Sequence, residues 1–269
     1  MEFLRMIGKA GSAITEICLA YPDRVEVHGR DLAGDLMGRL SFTSYFYLLL
    51  TGKEPSEDQR YFLDVLLLAI AEHGMMPTVI SARMTLAGDP GSLQGAVAAG
   101  LLGCGPVLVG TAELCAALLE SMQIRVVDGE VPANVATEFV QHIRKRGDKV
   151  PGFGHPVHKP LDPRAMRILE LADSRGISGP HVLLARHTGD AVARAWGKPL
   201  TMNVSMPIAA VMLDLGFPAS IVKAVPLLAR TAGILGHLAE EMRQPIGFKL
   251  AGAAEETVAY QRKGGEGAF

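Results

Sequence analysis

Pro151-Gly152-Phe153-Gly154-His155-Pro156-Val157-His158-Lys159-Pro160-Leu161-Asp162-Pro163-Arg164 is the stretch on which the reading of this chain turns. Glycines at 152 and 154 let backbone amides approach a ligand closely, and prolines at 151, 156, 160 and 163 stiffen the path between them. The segment reads as a preformed loop presenting a histidine and an arginine. On composition alone, a surface turn rich in helix breakers is the plainer reading.

Outward from the loop, apolar residues recur at helical spacing over 61–73, 112–122, 133–146, 163–175, 181–196, 203–215 and 219–242. The one strand-like alternation, Arg24-Val25-Glu26-Val27-His28, runs into Gly29-Arg30-Asp31-Leu32, a turn. An all-α chain is the economical expectation. Val65-Leu66-Leu67-Leu68-Ala69-Ile70-Ala71 is apolar on every face, as expected of burial on all sides or at a permanent subunit contact, so an obligate homodimer is expected.

With 269 residues there is ample material for one large domain or two unequal ones, and 49% hydrophobic against 20% charged residues excludes disorder as a description of the whole. A net charge of −2 supplies no electrostatic reason to expect nucleic acid or an anionic membrane as partner. Cys18, Cys104 and Cys115 are odd in number, widely spaced and set among apolar residues. They read as reduced, packed thiols in the cytoplasm rather than a disulfide scaffold or a zinc site. Met1-Glu2-Phe3-Leu4-Arg5 does not open into the apolar core of a signal peptide. Residues 90–112 carry no charged side chain and are long enough to span a bilayer, but their glycines and Pro106 divide them into helix, turn and helix.

Among side chains able to do chemistry, His73 closes an apolar helix before Gly74, where the negative helix end favours a cationic imidazole; helix capping is the plainer local reading. His155 and His158 form an H-x-x-H pair, but Pro156 works against the helix that would align both rings, and no acidic third ligand stands at a helpful spacing, so no metal is expected. Arg164, Arg167, Arg230 and Arg243 offer planar forks suited to carboxylates. Arg144, Lys145, Arg146, Lys149 and Lys159 surround the loop with positive charge suited to the phosphates of a nucleotide-like cofactor.

Taken in order, His73-Gly74, the 151–164 loop, Asn203-Val204-Ser205 and Arg230-Thr231-Ala232-Gly233-Ile234-Leu235-Gly236-His237 resemble the citrate synthase superfamily. The short chain and Glu240-Glu241-Met242-Arg243-Gln244-Pro245 look most like its citryl-CoA lyase branch, which includes the C-terminal module of ATP citrate lyase. The resemblance implies an all-helical fold with a large domain (1–112 and 216–269) and a small one (113–215), the active site lying in the cleft between them. It implies a homodimer, possibly associating further, in which both subunits contribute to each site. It also implies coenzyme A, as an acyl-CoA substrate, cradled by Val150, Pro151, Gly152, Phe153, Gly154 and Lys159. His73 and His155 are then the substrate histidines, Arg164 and Arg230 the clamps on a di- or tricarboxylate, and Arg243 a weaker clamp reaching into the neighbouring site.

Two departures from the family pattern bear on activity. Ser205 stands where the family places an aspartate, and a hydroxyl is too weak an acid or base to act unaided. Leu108 stands where synthases carry a histidine; members of the lyase branch lack that histidine too, so this loss favours lyase over synthase. The expectation is a citryl-CoA lyase-like enzyme, with a catalytically impaired paralogue that still binds coenzyme A and a polycarboxylate as the alternative.

Overall fold

The computed structural model describes residues 13–261 and divides into two compact units after Asp64. The first unit departs from the all-helical expectation locally. Three short antiparallel strands, β1 (Cys18–Ala20), β2 (Val25–Val27) and β3 (Arg30–Asp31), pair in the order β1-β2-β3, with Leu19 opposite Glu26 and Val27 opposite Arg30. β2 falls within the strand-like alternation at 24–28, whereas β1 and β3, at three and two residues, are too short to print one. Cys18 lies exposed on β1, an outer strand with no buried position, which corrects its reading as a packed thiol. Helix α1 (Phe42–Thr51) begins where Ser41 accepts the Ser44 N–H and ends at Gly52 in the left-handed region. Val27, Leu36 and Leu48 form this unit's core.

Helix α2 (Glu57–Ala71) carries the chain into the second unit. There follow α3 (Pro77–Gly88), α4 (Leu93–Leu102), α5 (Thr111–Val127), α6 (Pro132–Lys145), α7 (Pro163–Ser174), α8 (Pro180–Trp196), α9 (Ser205–Asp214), α10 (Ala224–Glu241) and α11 (Gly247–Glu256). Four of them, α3, α6, α7 and α8, open on proline, whose fixed φ and missing N–H suit the first helical turn. The uncharged stretch 90–112 is broken as its glycines require, α4 ending before Gly103 and α5 starting at Thr111. Among the described residues, one stretch, Ala219–Glu241, is long and apolar enough to cross a membrane; its Ala229, Ile234 and Leu238 are buried in the protein.

The helices of this unit pack in two groups. In one, α3 carries α4, α10 and α11, and Ala82, Leu86, Ala96, Ile234 and Leu238 make its core. In the other, α9 is wrapped by α5, α7 and α8. Met206, Ile208, Val211 and Met212 of α9 have no exposed surface, each burial being worth roughly 1.5–3 kcal/mol. Ser205 thus stands at the mouth of the most deeply buried helix.

Candidate active site

His73 lies two residues past the end of α2, where Gly74 at φ +71° turns the chain toward α3. Glu72 Oε1 accepts the His73 and Gly74 N–H groups at 2.7 and 2.6 Å, so a carboxylate, not the histidine, caps this turn.

The proline-rich loop is fastened to the segment before α9. Gly154 N–H donates to Thr201 O at 2.7 Å, Asn203 N–H donates to Gly152 O at 2.9 Å, and the Thr201 hydroxyl donates to Pro160 O at 2.9 Å. Gly152 is where glycine is indispensable: at φ +80°, a Cβ would sit 2.8 Å from Met206 Cβ and 2.9 Å from Cys115 Sγ. Val150 and Gly152 are buried, and the Phe153 and Gly154 amides are already bonded to Val150 O and Thr201 O. The Phe153 amide thus bonds within the loop, and the Gly154 amide bonds to the segment before α9. Pro151 and Phe153 are half-buried, and Lys159 is exposed. Of the basic cluster, Arg144 stacks on Trp196 and Arg146 pairs with Asp148.

Asp162 is fully buried, caps α7, accepts the Val204 N–H at 3.2 Å, and grips Arg164 through both oxygens at 3.0 and 2.8 Å. Although burial opposes ionisation, the Arg164 contacts hold the Asp162 carboxyl below the ordinary carboxylate range. The Asp-Pro-Arg spelling of helix cap, first turn and fork was the available signal for this pair.

His155 Nδ1 accepts the N–H groups of Val157 and His158 at 3.1 and 2.8 Å. The proton of the neutral ring therefore sits on Nε2; Arg164 Nη2, 3.5 Å away, is itself a donor and no partner for it, so Nε2–H is left to donate to another group. His158 is the residue that spacing misjudged. Pro156 does prevent a helix, but the loop folds back instead, bringing the His155 and His158 ring centroids to 4.4 Å. His158 Nε2 also lies 3.1 Å from His73 Nε2. The third member of this cluster is His73, not an acid nearby in sequence. With one His155 nitrogen accepting from the backbone and the other protonated, its donor set suits hydrogen bonding to an oxygen better than ligation of a cation.

Burial, then the charges of Arg164 and His158, push His73 below the ordinary histidine range; burial and then His158 do the same for His155. Both imidazoles are neutral at neutral pH. Arg230 on α10 is 4% exposed and donates to Ile70 O at 3.1 Å, while its Nε and Nη1 are buried without a partner. Burial lowers its pKa from the arginine value. A buried guanidinium with idle donors is costly unless an anion completes it.

These groups line one cleft with a cavity volume of about 170 Å³, His73, His155, Arg164, Ser205 and Arg230 sharing it with apolar Leu108. Val109, on the same wall, has φ +67°, a strained setting for a β-branched residue. Ser205 N–H is bonded to Asn203 Oδ1, and among the described residues no acidic side chain lines the cleft beside it. Arg243 is exposed beyond the end of α10, away from the cleft residues, and Arg167 pairs with Glu170 on the surface.

Residues 4–248 match the family described as citrate synthase, C-terminal domain. A citrate synthase from Heyndrickxia coagulans is 29% identical over 208 residues, covering 75% of this chain and 52% of the relative. One from Synechocystis is 30% identical over 213 residues, covering 76% and 50%. The chain thus spans about half the length of the curated relatives it matches. Among solved structures, citryl-CoA lyase from Hydrogenobacter thermophilus superposes with a TM-score of 0.82 at 28% identity, covering 95% of this chain and 97% of that one. ATP citrate lyase from Methanothrix soehngenii, in complex with citrate and coenzyme A, shares the fold at a TM-score of 0.75 and 21% identity, covering 97% of this chain and 44% of that one.

Proposed function

We propose that this chain, which belongs to the citrate synthase family, is a citryl-CoA lyase-like enzyme that cleaves, or forms, the carbon–carbon bond between an acetyl-CoA unit and an oxaloacetate-like keto acid. The observation that carries the reading is the pairing of Arg230, buried with idle donors, with the Nε2–H of His155 in one cleft. The likeness in fold to a citryl-CoA lyase supports it.

In this reading Arg230 and the free edge of Arg164 bind the carboxylates, and His155 donates to the oxygen on the carbon being cleaved. Neutral His73, within reach of His158, accepts the hydroxyl proton as that carbon becomes a ketone. The bond electrons pass into the thioester enolate, which must gain a proton at its terminal carbon. Ser205 cannot supply that proton unaided. This step favours the second reading, a paralogue that keeps the binding groups without efficient turnover.

The reading includes coenzyme A as the acyl carrier, with Lys159 beside its phosphates and no metal required. It includes a homodimer, possibly of higher order, in a reducing cytoplasm, to which Arg243 brings its charge at the neighbouring site. Leu102 and Val107, 88% and 86% exposed, are surfaces such a dimer would cover. The test is purified protein with citryl-CoA, following oxaloacetate release. Turnover absent above a His155→Ala control overturns the lyase reading; binding of coenzyme A and citrate without turnover supports the paralogue.

A further inference from the structure

We infer that Arg83, His237 and Glu72 form a polar chain that positions His73, although none of the three is among the residues lining the cleft. Arg83 on α3 is 1% exposed, the largest fully buried side chain among the described residues. Its Nη1 donates to Glu241 Oε2 at 2.9 Å, its Nη2 contacts Glu240, and the same Nη2 lies 2.9 Å from His237 Nδ1. Glu241, 3% exposed, also accepts the Ile246 and Gly247 N–H groups at 2.9 and 2.7 Å, tying this end of the chain to the start of α11.

The direction of each link is fixed by what the groups can offer. A guanidinium has donors only, so His237 Nδ1 accepts, and the proton of that neutral ring is on Nε2. Nε2 lies 2.9 Å from Glu72 Oε2, within ion-pair distance though off the line of a hydrogen bond. Glu72 turns its other oxygen to the N–H groups of His73 and Gly74. Although burial opposes it, the His237 contact and these two N–H groups hold the Glu72 carboxyl below its ordinary range. The series Glu241, Arg83, His237, Glu72, His73 therefore runs without a donor meeting a donor.

The scaffold matches this role. Gly233 lets α10 come so close to the end of α2 that a Cβ there would collide with Ala71 O. One helix turn away, Arg230 donates to Ile70 O. Once past Ala71 the chain leaves the helix, and the backbone of His73 depends on the Glu72 carboxylate. His237 and Arg83 decide where that carboxylate is. They are positioning residues, acting through His73.

The kinetic test rests on the lyase reading; the spectroscopic one does not. With citryl-CoA, His237→Ala lowers kcat about a hundredfold, the scale of a misplaced reacting group, while KM for the acyl-CoA changes far less. Glu72→Gln, which keeps an acceptor for the turn, loses less than Glu72→Ala. In a His73→Ala background His237→Ala has no further effect; an unchanged further loss there overturns the inference. Independently of substrate, ¹⁵N spectra of the imidazoles report the His73–His158 contact. His237→Ala, or His237→Asn should the alanine not fold, shifts both rings and leaves His181, paired with Asp214, in place. Unmoved His73 resonances overturn the inference. Moved resonances without citryl-CoA turnover support it and count against the lyase reading.

Discussion

Asp162 holds Arg164 in a two-pronged ion pair in which the carboxylate is wholly buried and the guanidinium is one-fifth exposed. The same carboxylate caps α7 and accepts the Val204 N–H, tying the loop to the helix that carries Ser205. Asp162→Ala is expected to cost about 3–5 kcal/mol, the scale for breaking a buried pair. Asp162→Asn, which keeps an acceptor for the cap, is expected to cost less and to raise KM for the polycarboxylate. Urea denaturation of both variants checks this; equal costs would leave the whole effect to the charge and remove the cap from the explanation.

Arg230 yields the opposite sign. Its idle donors are a liability in the empty protein, so Arg230→Met is expected to raise the apo melting temperature, by about 1–2 kcal/mol of stability. The wild type gains stability on adding citrate and the variant does not. A fall in apo stability, with the citrate effect retained, would place the anion elsewhere.

Acid should act through the imidazoles. His73 and His155 have folded-state pKa values below the ordinary histidine value, so the unfolded chain binds protons first as pH falls. Their contribution to stability is complete above about pH 6.5 and is lost as pH falls through the lowered folded values. Proton NMR titration should find both midpoints below that of free histidine. Midpoints above it would reverse the sign and the neutral assignment with it.

Gly152→Ala is expected to destabilise by about 3 kcal/mol, combining a left-handed backbone with overpacking against Met206 and Cys115. Equilibrium unfolding measures it. A cost under about 1 kcal/mol would mean that the loop is not seated as tightly as its contacts imply.

Ser205→Asp separates the two functional readings. If Ser205 is a lost carboxylate, the substitution creates or raises citryl-CoA turnover. If the wild type is already fast and the aspartate slows it, another group delivers the proton.

Much of this site was legible in the sequence because its residues travel in short motifs: His155 and Arg164 share one loop, and Gly74 marks the turn that frees His73. Of the small sheet only β2 was legible, within 24–28, because strands such as Arg30–Asp31 are shorter than one alternation. Helix α3 was missed because it is apolar or small on most faces, and its one arginine, Arg83, lies buried in its packing. Contacts between residues distant in the chain leave no local signature at all. Arg83 and His237 meet across 154 positions, and His73 and His158 across 85. His158 shows the limit of spacing rules, since a proline that forbids a helix does not forbid two rings from meeting across a bend.

Arg230 and His237 ride on α10 two turns apart, one gripping the end of α2 and the other steadying the acid beyond it. In the proposed function, carboxylate capture and imidazole aim are consequently mounted on a single rod. Any slide or tilt of that rod misdirects both at once, so a weakened hold on the ligand arrives together with blunted chemistry, and sequence drift cannot tune one while sparing the other.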